Sequence, residues 1–341
     1  MRMLLLLYVV LVAVARAPAA EAWGKEGHYM TCKIADNFLT EEAAAGVKEL
    51  LPAWANGELA EACSWADSQR FRYKWSSALH FADTPGDCAF SYARDCHDTK
   101  GEKDRCVVGA INNYTAALMY SDSPCNNQNC RSIPPPPPPP LLESQHQRVL
   151  LPVSLDDPTE SLMFLAHFVG DVHQPLHCGH ADDLGGNTII VHWYTRKGNL
   201  HHVRRTTSTA APRFASSTVG SSFQVWDVSV IETAMKDFYD NDQATMIDAI
   251  QTNITDVWSN EEKEWEACRL RTKTCAETYA KESALLACDA YEGVEQDITL
   301  GDEYFFKALP VVEKRLAQGG VRLAAILNRI FSGKNGRLQT S

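Results

Sequence analysis

The clearest hydrophobic pattern in the chain begins at Asp157. Asp157-Pro158-Thr159-Glu160 supplies an N-cap, a first-turn proline and a glutamate at the capping-box position. Leu162, Leu165, Ala166 and Val169 then recur at helical spacing, and Pro175 is expected to end the helix. Earlier, Gly24 to Leu51 predicts two helices, with His28, Cys32, Ala35 and Leu39 on one stripe and Pro52 as the break. Ser64 to His80 is rich in aromatics (Trp65, Phe71, Tyr73, Trp75), a composition expected of core packing, and Gly109 to Ser121 predicts a helix. Gly185-Gly186-Asn187 marks a turn, followed by a β-branched stretch from Thr188 to Tyr194 that suits half of a hairpin. Helical patterns resume at Ser229–Tyr239, Gln243–Trp258, Glu262–Leu270, around Ala284, and from Tyr304 to Phe331. Sheet-forming alternation of any length is missing, so the expected fold class is all-α, with a minor hairpin and disulfide-tied loops.

Two stretches break this pattern. Residues 123–156 contain seven consecutive prolines, Pro134 to Pro140, a run that favours extended polyproline II over a packed core. Residues 204–225 are dominated by Ser, Thr and Ala without an apolar face. Both read as irregular insertions into one domain spanning 23–341.

Residues 3 to 15 are almost wholly apolar, Arg2 precedes them, and Ala20-Glu21-Ala22 fits a small-x-small cleavage site. Residues 1–22 are therefore expected to be a secretory signal peptide whose removal exposes Trp23. No later stretch has the length and apolarity of a membrane span. The expected location is the secretory pathway, with an extracellular or vacuolar end point. Eleven cysteines suit that compartment. Cys32, Cys63, Cys88, Cys96, Cys106, Cys268, Cys275 and Cys288 suffice for four disulfides of undetermined connectivity, Cys125 and Cys130 are placed to pair locally, and Cys178 is left over. Phe81 to Cys106, polar and cysteine-rich, is expected to be a disulfide-tied loop. Asn113-Tyr114-Thr115 and Asn253-Ile254-Thr255 are N-glycosylation sequons.

The formal net charge is −11, and two positive charges and one negative leave with residues 1–22, making −12. Such a chain is not built to hold polyanions with basic patches; if it handles phosphates, bound cations must supply much of the attraction.

The histidines point the same way. Seven of eleven lie between His167 and His202. His167 and Asp171 leave the same face of a helix one turn apart, a disposition shared by metal ligands and by buried His-Asp hydrogen bonds. With thiols oxidised, imidazole and carboxylate are the donors zinc prefers, and several His-Asp pairs on different helices suit more than one metal site.

Trp23-Gly24, Trp65-Ala66-Asp67, Leu79-His80-Phe81-Ala82-Asp83, the run from His167 to His177, Gly185-Gly186-Asn187 and Leu200-His201 together resemble the secreted three-zinc, single-strand-preferring nucleases of fungi and plants. The plant bifunctional enzymes, acting on RNA and DNA, are the nearest in pattern, and bacterial zinc-dependent phospholipase C is a more distant likeness. The resemblance implies three Zn2+. Asp67, His80, His167 and Asp171 match the first site; His177, His201 and Asp227 the second; Trp23 (through its α-amine and carbonyl oxygen), His28 and Asp171 the third. Asp171 would bridge two metals. Arg70 matches an arginine facing the scissile phosphate, Phe81 an aromatic on which a base stacks, and Asp83 a carboxylate that binds the base edge; Asn187 falls in the substrate-binding turn. His173, His180, His192 and His202 match no ligand.

The activity implied is metal-assisted hydrolysis of single-stranded DNA and RNA to 5′-phosphate products, with a 3′-nucleotidase activity, by a monomer that uses no nucleophilic side chain and needs no membrane. In the family pattern the second-site histidine and aspartate lie one helical turn apart, whereas here Arg204 to Val225 separates His201 from Asp227. Two alternatives follow: a secreted zinc-binding glycoprotein with impaired catalysis, or a phospholipase C-like phosphodiesterase.

Overall fold

The computed structural model describes residues 23–120, 157–201, 223–268 and 274–332. The expected signal peptide, the proline-rich segment, His202, Cys125 and Cys130 lie outside the described residues. Twelve α-helices are seen among those described: α1 (Lys25–Asp36), α2 (Glu41–Leu50), α3 (Leu59–Ala62), α4 (Trp65–Gln69), α5 (Tyr92–Asp95), α6 (Val107–Tyr120), α7 (Pro158–Asp171), α8 (Val230–Phe238), α9 (Gln243–Asp256), α10 (Ser259–Glu266), α11 (Ala276–Tyr291) and α12 (Asp302–Ser332). The chain is mainly helical, as its periodicity requires.

Helix α7 is the axis of the molecule: every residue from Ser161 to Asp171 is buried. Asp157 caps it by accepting from the amides of Thr159 and Glu160. The Glu160 side chain turns away from the capping box and instead accepts from the Tyr73 hydroxyl. The helix closes at Asp171, earlier than Pro175 alone would dictate, and Pro175–Cys178 forms a separate 3-10 turn. Phe164 stands at the centre of an aromatic cluster with Trp65, Tyr73, Trp75, Tyr114 and Phe168. Phe71 departs from the packing expected of its segment and is 71% exposed, because Trp65, Tyr73 and Trp75 already fill the face against α7.

The 31-residue α12 crosses α1 closely. A Cβ built on Gly320 would lie 2.4 Å from the Ile34 side chain, so only glycine admits this crossing. Two apolar clusters result. One gathers α6, α7 and the end of α12; the other surrounds Trp23, Trp226, Val230, Ile231 and Leu316.

The expected hairpin is present within a small four-stranded sheet. Strands β1 (Ile190–Trp193) and β2 (Arg196–Asn199) pair antiparallel, β3 (Phe223–Gln224) adds parallel to β2, and β4 (Thr299–Leu300) adds parallel to β1. These strands are too short to show alternation, which is why the sequence pattern hid all but one of them.

Disulfides join Cys32 to Cys63, Cys88 to Cys288, Cys96 to Cys106 and Cys268 to Cys275; Cys178 is free and buried. The Cys88–Cys288 bond pins the loop after Phe81 to α11. Asn113, on α6, and Asn253, near the end of α9, are both half-buried, but the side-chain amide nitrogen of Asn113 is itself buried. Of the two sequons, the second is the better placed for a glycan. No described helix is long and apolar enough to cross a membrane.

Candidate metal centre

Helix α7 delivers His167 and Asp171, α1 delivers His28, α4 delivers Asp67, and the residue after the 3-10 turn Lys74–Leu79 is His80. All five side chains are buried. His80 Nδ1 lies 2.9 Å from Asp171 Oδ2 and 3.7 Å from Asp67 Oδ1. His167 Nε2 lies 3.5 Å from Asp67 Oδ1, 3.3 Å from Asp171 Oδ2 and 3.0 Å from His80 Nδ1. Four donors around one zinc at about 2.0–2.1 Å, arranged as a tetrahedron, stand about 3.3 Å apart, so these separations bracket the required value.

The other carboxylate oxygen of Asp171 faces a second direction. Asp171 Oδ1 is 3.3 Å from His28 Nε2 and 3.9 Å from His177 Nδ1. The close approach of His28 to α7 depends on Gly170, where a Cβ would lie 2.7 Å from His28 Nδ1. The His28 and His167 rings stack with centroids 3.9 Å apart. Trp23, five residues before His28, is fully buried against Gly27. The Gly24 amide donates to the Asp227 carbonyl at 2.8 Å, which brings the start of the described chain to the third group of ligands.

That third group is His177, His201 and Asp227. His201 Nε2 is 3.4 Å from Asp227 Oδ1, and the His177 and His201 rings have centroids 4.9 Å apart. The separation in sequence does not keep His201 from Asp227. Strand β3 rejoins beside β2, pairing Asn199 with Gln224, and the Trp226 amide then donates to the Leu200 carbonyl.

The ring orientations are set by backbone acceptors. His167 Nδ1 donates to the Cys63 carbonyl at 2.8 Å and His177 Nδ1 to the His80 carbonyl at 2.6 Å, which places the proton on Nδ1 and leaves Nε2 as the electron-pair donor. Buried polar atoms without a hydrogen-bond partner mark the same places: both ring nitrogens of His28, Asp67 Oδ1, His80 Nε2, Asp171 Oδ1 and His201 Nε2. Stranding so many polar atoms in a core is costly, and divalent cations are suited to engage the carboxylate oxygens and one nitrogen of each ring.

Protonation follows from that crowding. Burial pushes the Asp67 and Asp171 carboxyls up, but His167 overrides it, aided by Arg70 at Asp67 and by His80 at Asp171, and both stay ionised far below the ordinary range. Burial keeps His28 neutral; burial and Arg70 take His80 down to about 3; burial takes His177 down to about 4. His167 alone moves upward, to about 10, because Asp171 and Asp67 outweigh its burial. Two buried carboxylates thus demand positive charge between them.

Around this core, Arg70 Nε reaches Asp67 Oδ1 at 3.3 Å with its side chain largely buried. Phe81 and Asp83 are half-buried on the segment after His80. Asn187 Nδ2 donates to the Leu184 carbonyl at 2.6 Å and lies 3.3 Å from His201 Nδ1.

The chain matches the model of the S1/P1 nuclease family over residues 23–209 and 223–332. It belongs to the S1/P1 nuclease family. Endonuclease 2 of Arabidopsis thaliana is 47% identical over 316 residues, covering 92% of each chain. Endonuclease 4 of the same plant is 46% identical, covering 95% of this chain and 94% of the relative. Nuclease P1 of Penicillium citrinum is 27% identical over 92% of this chain and 99% of its own length. The break in the family match, between residues 209 and 223, falls inside the segment that separates His201 from Asp227.

As a nuclease of this family, the chain carries supports that sequence reasoning missed. Gln174 is fully buried and its amide donates to Asp227 Oδ1 at 2.6 Å. Arg315 donates to the carbonyl of His173 and pairs with Glu282, which also receives Arg322. His173 donates from Nδ1 to the Val169 carbonyl and accepts from Arg322 on its other nitrogen, so it is structural, as its failure to match a ligand implied. The ion pairs join residues far apart in sequence, and only the interruption of α12's apolar face by Arg315, Gln318 and Arg322 signalled them.

Proposed function

We propose that this nuclease is a secreted, zinc-dependent endonuclease that hydrolyses phosphodiester bonds of single-stranded DNA and RNA to 5′-phosphate products, with 3′-nucleotidase activity. The observation that carries the reading is the convergence of His28, His80 and His167 on the two oxygens of buried Asp171, beside His177, His201 and Asp227. Asp67, His80, His167 and Asp171 would hold one zinc, His177, His201 and Asp227 a second, and Trp23, His28 and Asp171 a third. Bound zinc supplies a water of lowered pKa and Lewis acidity toward phosphate oxygens.

The protein's own groups do the rest. Arg70, held against Asp67, presents a guanidinium to the phosphate and stabilises its developing charge. Phe81 offers a face on which an unpaired base stacks, and Asp83 accepts hydrogen bonds from its edge, which favours single strands without a basic groove. Asn187, beside His201, lines the same region. The Arabidopsis relatives named as endonucleases support internal cleavage. The disulfides support an oxidising secretory route, ending outside the cell or in a vacuole. We place the N-glycan at Asn253 and take the working form to be a monomer.

Purified chain beginning at Trp23 should contain about three zincs per molecule and cleave single-stranded DNA and RNA, and a zinc chelator should abolish both cleavages. A fully loaded protein that leaves both substrates intact would refute the reading. The close approach of His201 and Asp227 counts against the zinc-binding but impaired alternative.

A further inference from the structure

Asp227 reaches its place by an unusual route. Its chain arrives from β3, after residues 202–222, so covalent connection to His201 does little to fix its side chain. The Gly24 amide holds its backbone carbonyl at 2.8 Å, and its buried carboxylate carries Oδ1 to within 3.4 Å of His201 Nε2. Gln174 bears on that carboxylate directly. Gln174 Oε1 accepts the Leu176 amide at 2.6 Å, capping the 3-10 turn that carries His177. With its oxygen so used, its amide nitrogen is aimed in one direction, toward Asp227 Oδ1 at 2.6 Å.

The base of this arm is fixed as well. Arg315 Nε donates to the His173 carbonyl at 3.1 Å, and Ser283 Oγ donates to the Val172 carbonyl at 2.5 Å. The backbone immediately before Gln174 is thereby tied to α11 and α12.

We propose that Gln174 is a positioning residue for the His177–His201–Asp227 metal site, setting the Asp227 carboxylate in register with His177 through one buried amide. The inference rests on the zinc reading of that site. Outer partners that orient a ligating carboxylate are worth about 10–100-fold in metal affinity.

The test uses the chain beginning at Trp23 in wild-type, Gln174→Ala and Gln174→Met forms, the last preserving side-chain volume in the buried site. Zinc release is followed during titration with a chelator, and the thermal midpoint of each metal-free protein is measured alongside. The expected result is that both variants bind one of the three zincs about 10–100-fold more weakly and retain the other two at wild-type affinity. Three zincs held with unchanged affinity would overturn the proposal. So would a parallel weakening of all three sites with a lowered metal-free midpoint, because that is the signature of a general packing role. Wild-type protein that binds no zinc would instead overturn the underlying metal reading, and the proposal with it.

Discussion

His201 Nε2 and Asp227 Oδ1 stand 3.4 Å apart although residues 202–222 intervene. The sheet makes this possible: β2 ends beside β3, so the two ligands leave adjacent strands. Closing a longer loop costs little, each doubling adding only about 0.6 kcal/mol, while a parallel pair needs a crossover of about a dozen residues or more. Replacing residues 204–221 with a Gly/Ser linker of about twelve residues should therefore leave zinc content and hydrolysis rate unchanged. Loss of one zinc in that variant would show that the segment itself builds the site.

Asp171 answers to two groups of ligands at once, with Oδ1 toward His28 and Oδ2 toward His80 and His167. His201 belongs to one group only. Asp171→Ala should cost more than one zinc and reduce kcat/KM by at least about 100-fold, whereas His201→Ala should cost a single zinc. Metal analysis of the two variants side by side checks this, and equal losses would count against a bridging Asp171.

Much of the architecture was legible because helices advertise themselves over many residues. The capping sequence at Asp157 and the stripe through Val169 located α7, and the clustering of histidines pointed to its chemistry. The two-residue strands β3 and β4 carry too few positions to show a period. The exposure of Phe71 was hidden because aromatic content says nothing about which ring wins the packing face. Gln174 was invisible for another reason: a buried amide and an exposed one look alike in sequence, and only the fold places Asp227 within its reach.

The same contrast gives a stability prediction. Phe164 is fully buried among five aromatic rings, and truncating it empties the space between α7 and its aromatic neighbours. Phe164→Ala should destabilise the protein by about 3–5 kcal/mol. Phe71→Ala, at a ring that is 71% exposed, should change stability by no more than about 0.5 kcal/mol. Denaturant titration distinguishes them, and a large loss at Phe71 would mean that its ring is packed in solution.

Asp36, the last residue of α1, supplies a pH dependence away from the metal centre. Burial pushes its carboxyl up to about 6, with Lys33 opposing and Glu58 adding to the rise. A folded pKa above the unfolded one means that the folded state holds the proton more tightly. The stability this contributes is complete below about pH 4 and is lost as pH rises through about 6. Asparagine resembles the protonated form at every pH. Asp36→Asn should thus be roughly 1–2 kcal/mol more stable than wild type at pH 7.5 and equal to it near pH 3.5. Thermal midpoints across that range test the sign, and an Asn variant less stable at neutral pH would reverse it.

The proposed cleavage before Trp23 offers the last test. A peptide nitrogen has no available lone pair, whereas a free α-amine does, so a zinc held by Trp23 together with His28 and Asp171 requires cleavage before Trp23. The placement supports the idea: Trp23 is buried, packs on Gly27 beside His28, and is followed by Gly24 bonded to the Asp227 carbonyl. Adding a single alanine before Trp23 should lower zinc content by one and depress hydrolysis, with the other two zincs retained and the disulfides unaltered. Mass spectrometry of the intact protein under native conditions counts the metals directly. Three zincs in the extended protein would mean that the third site is completed without the amine.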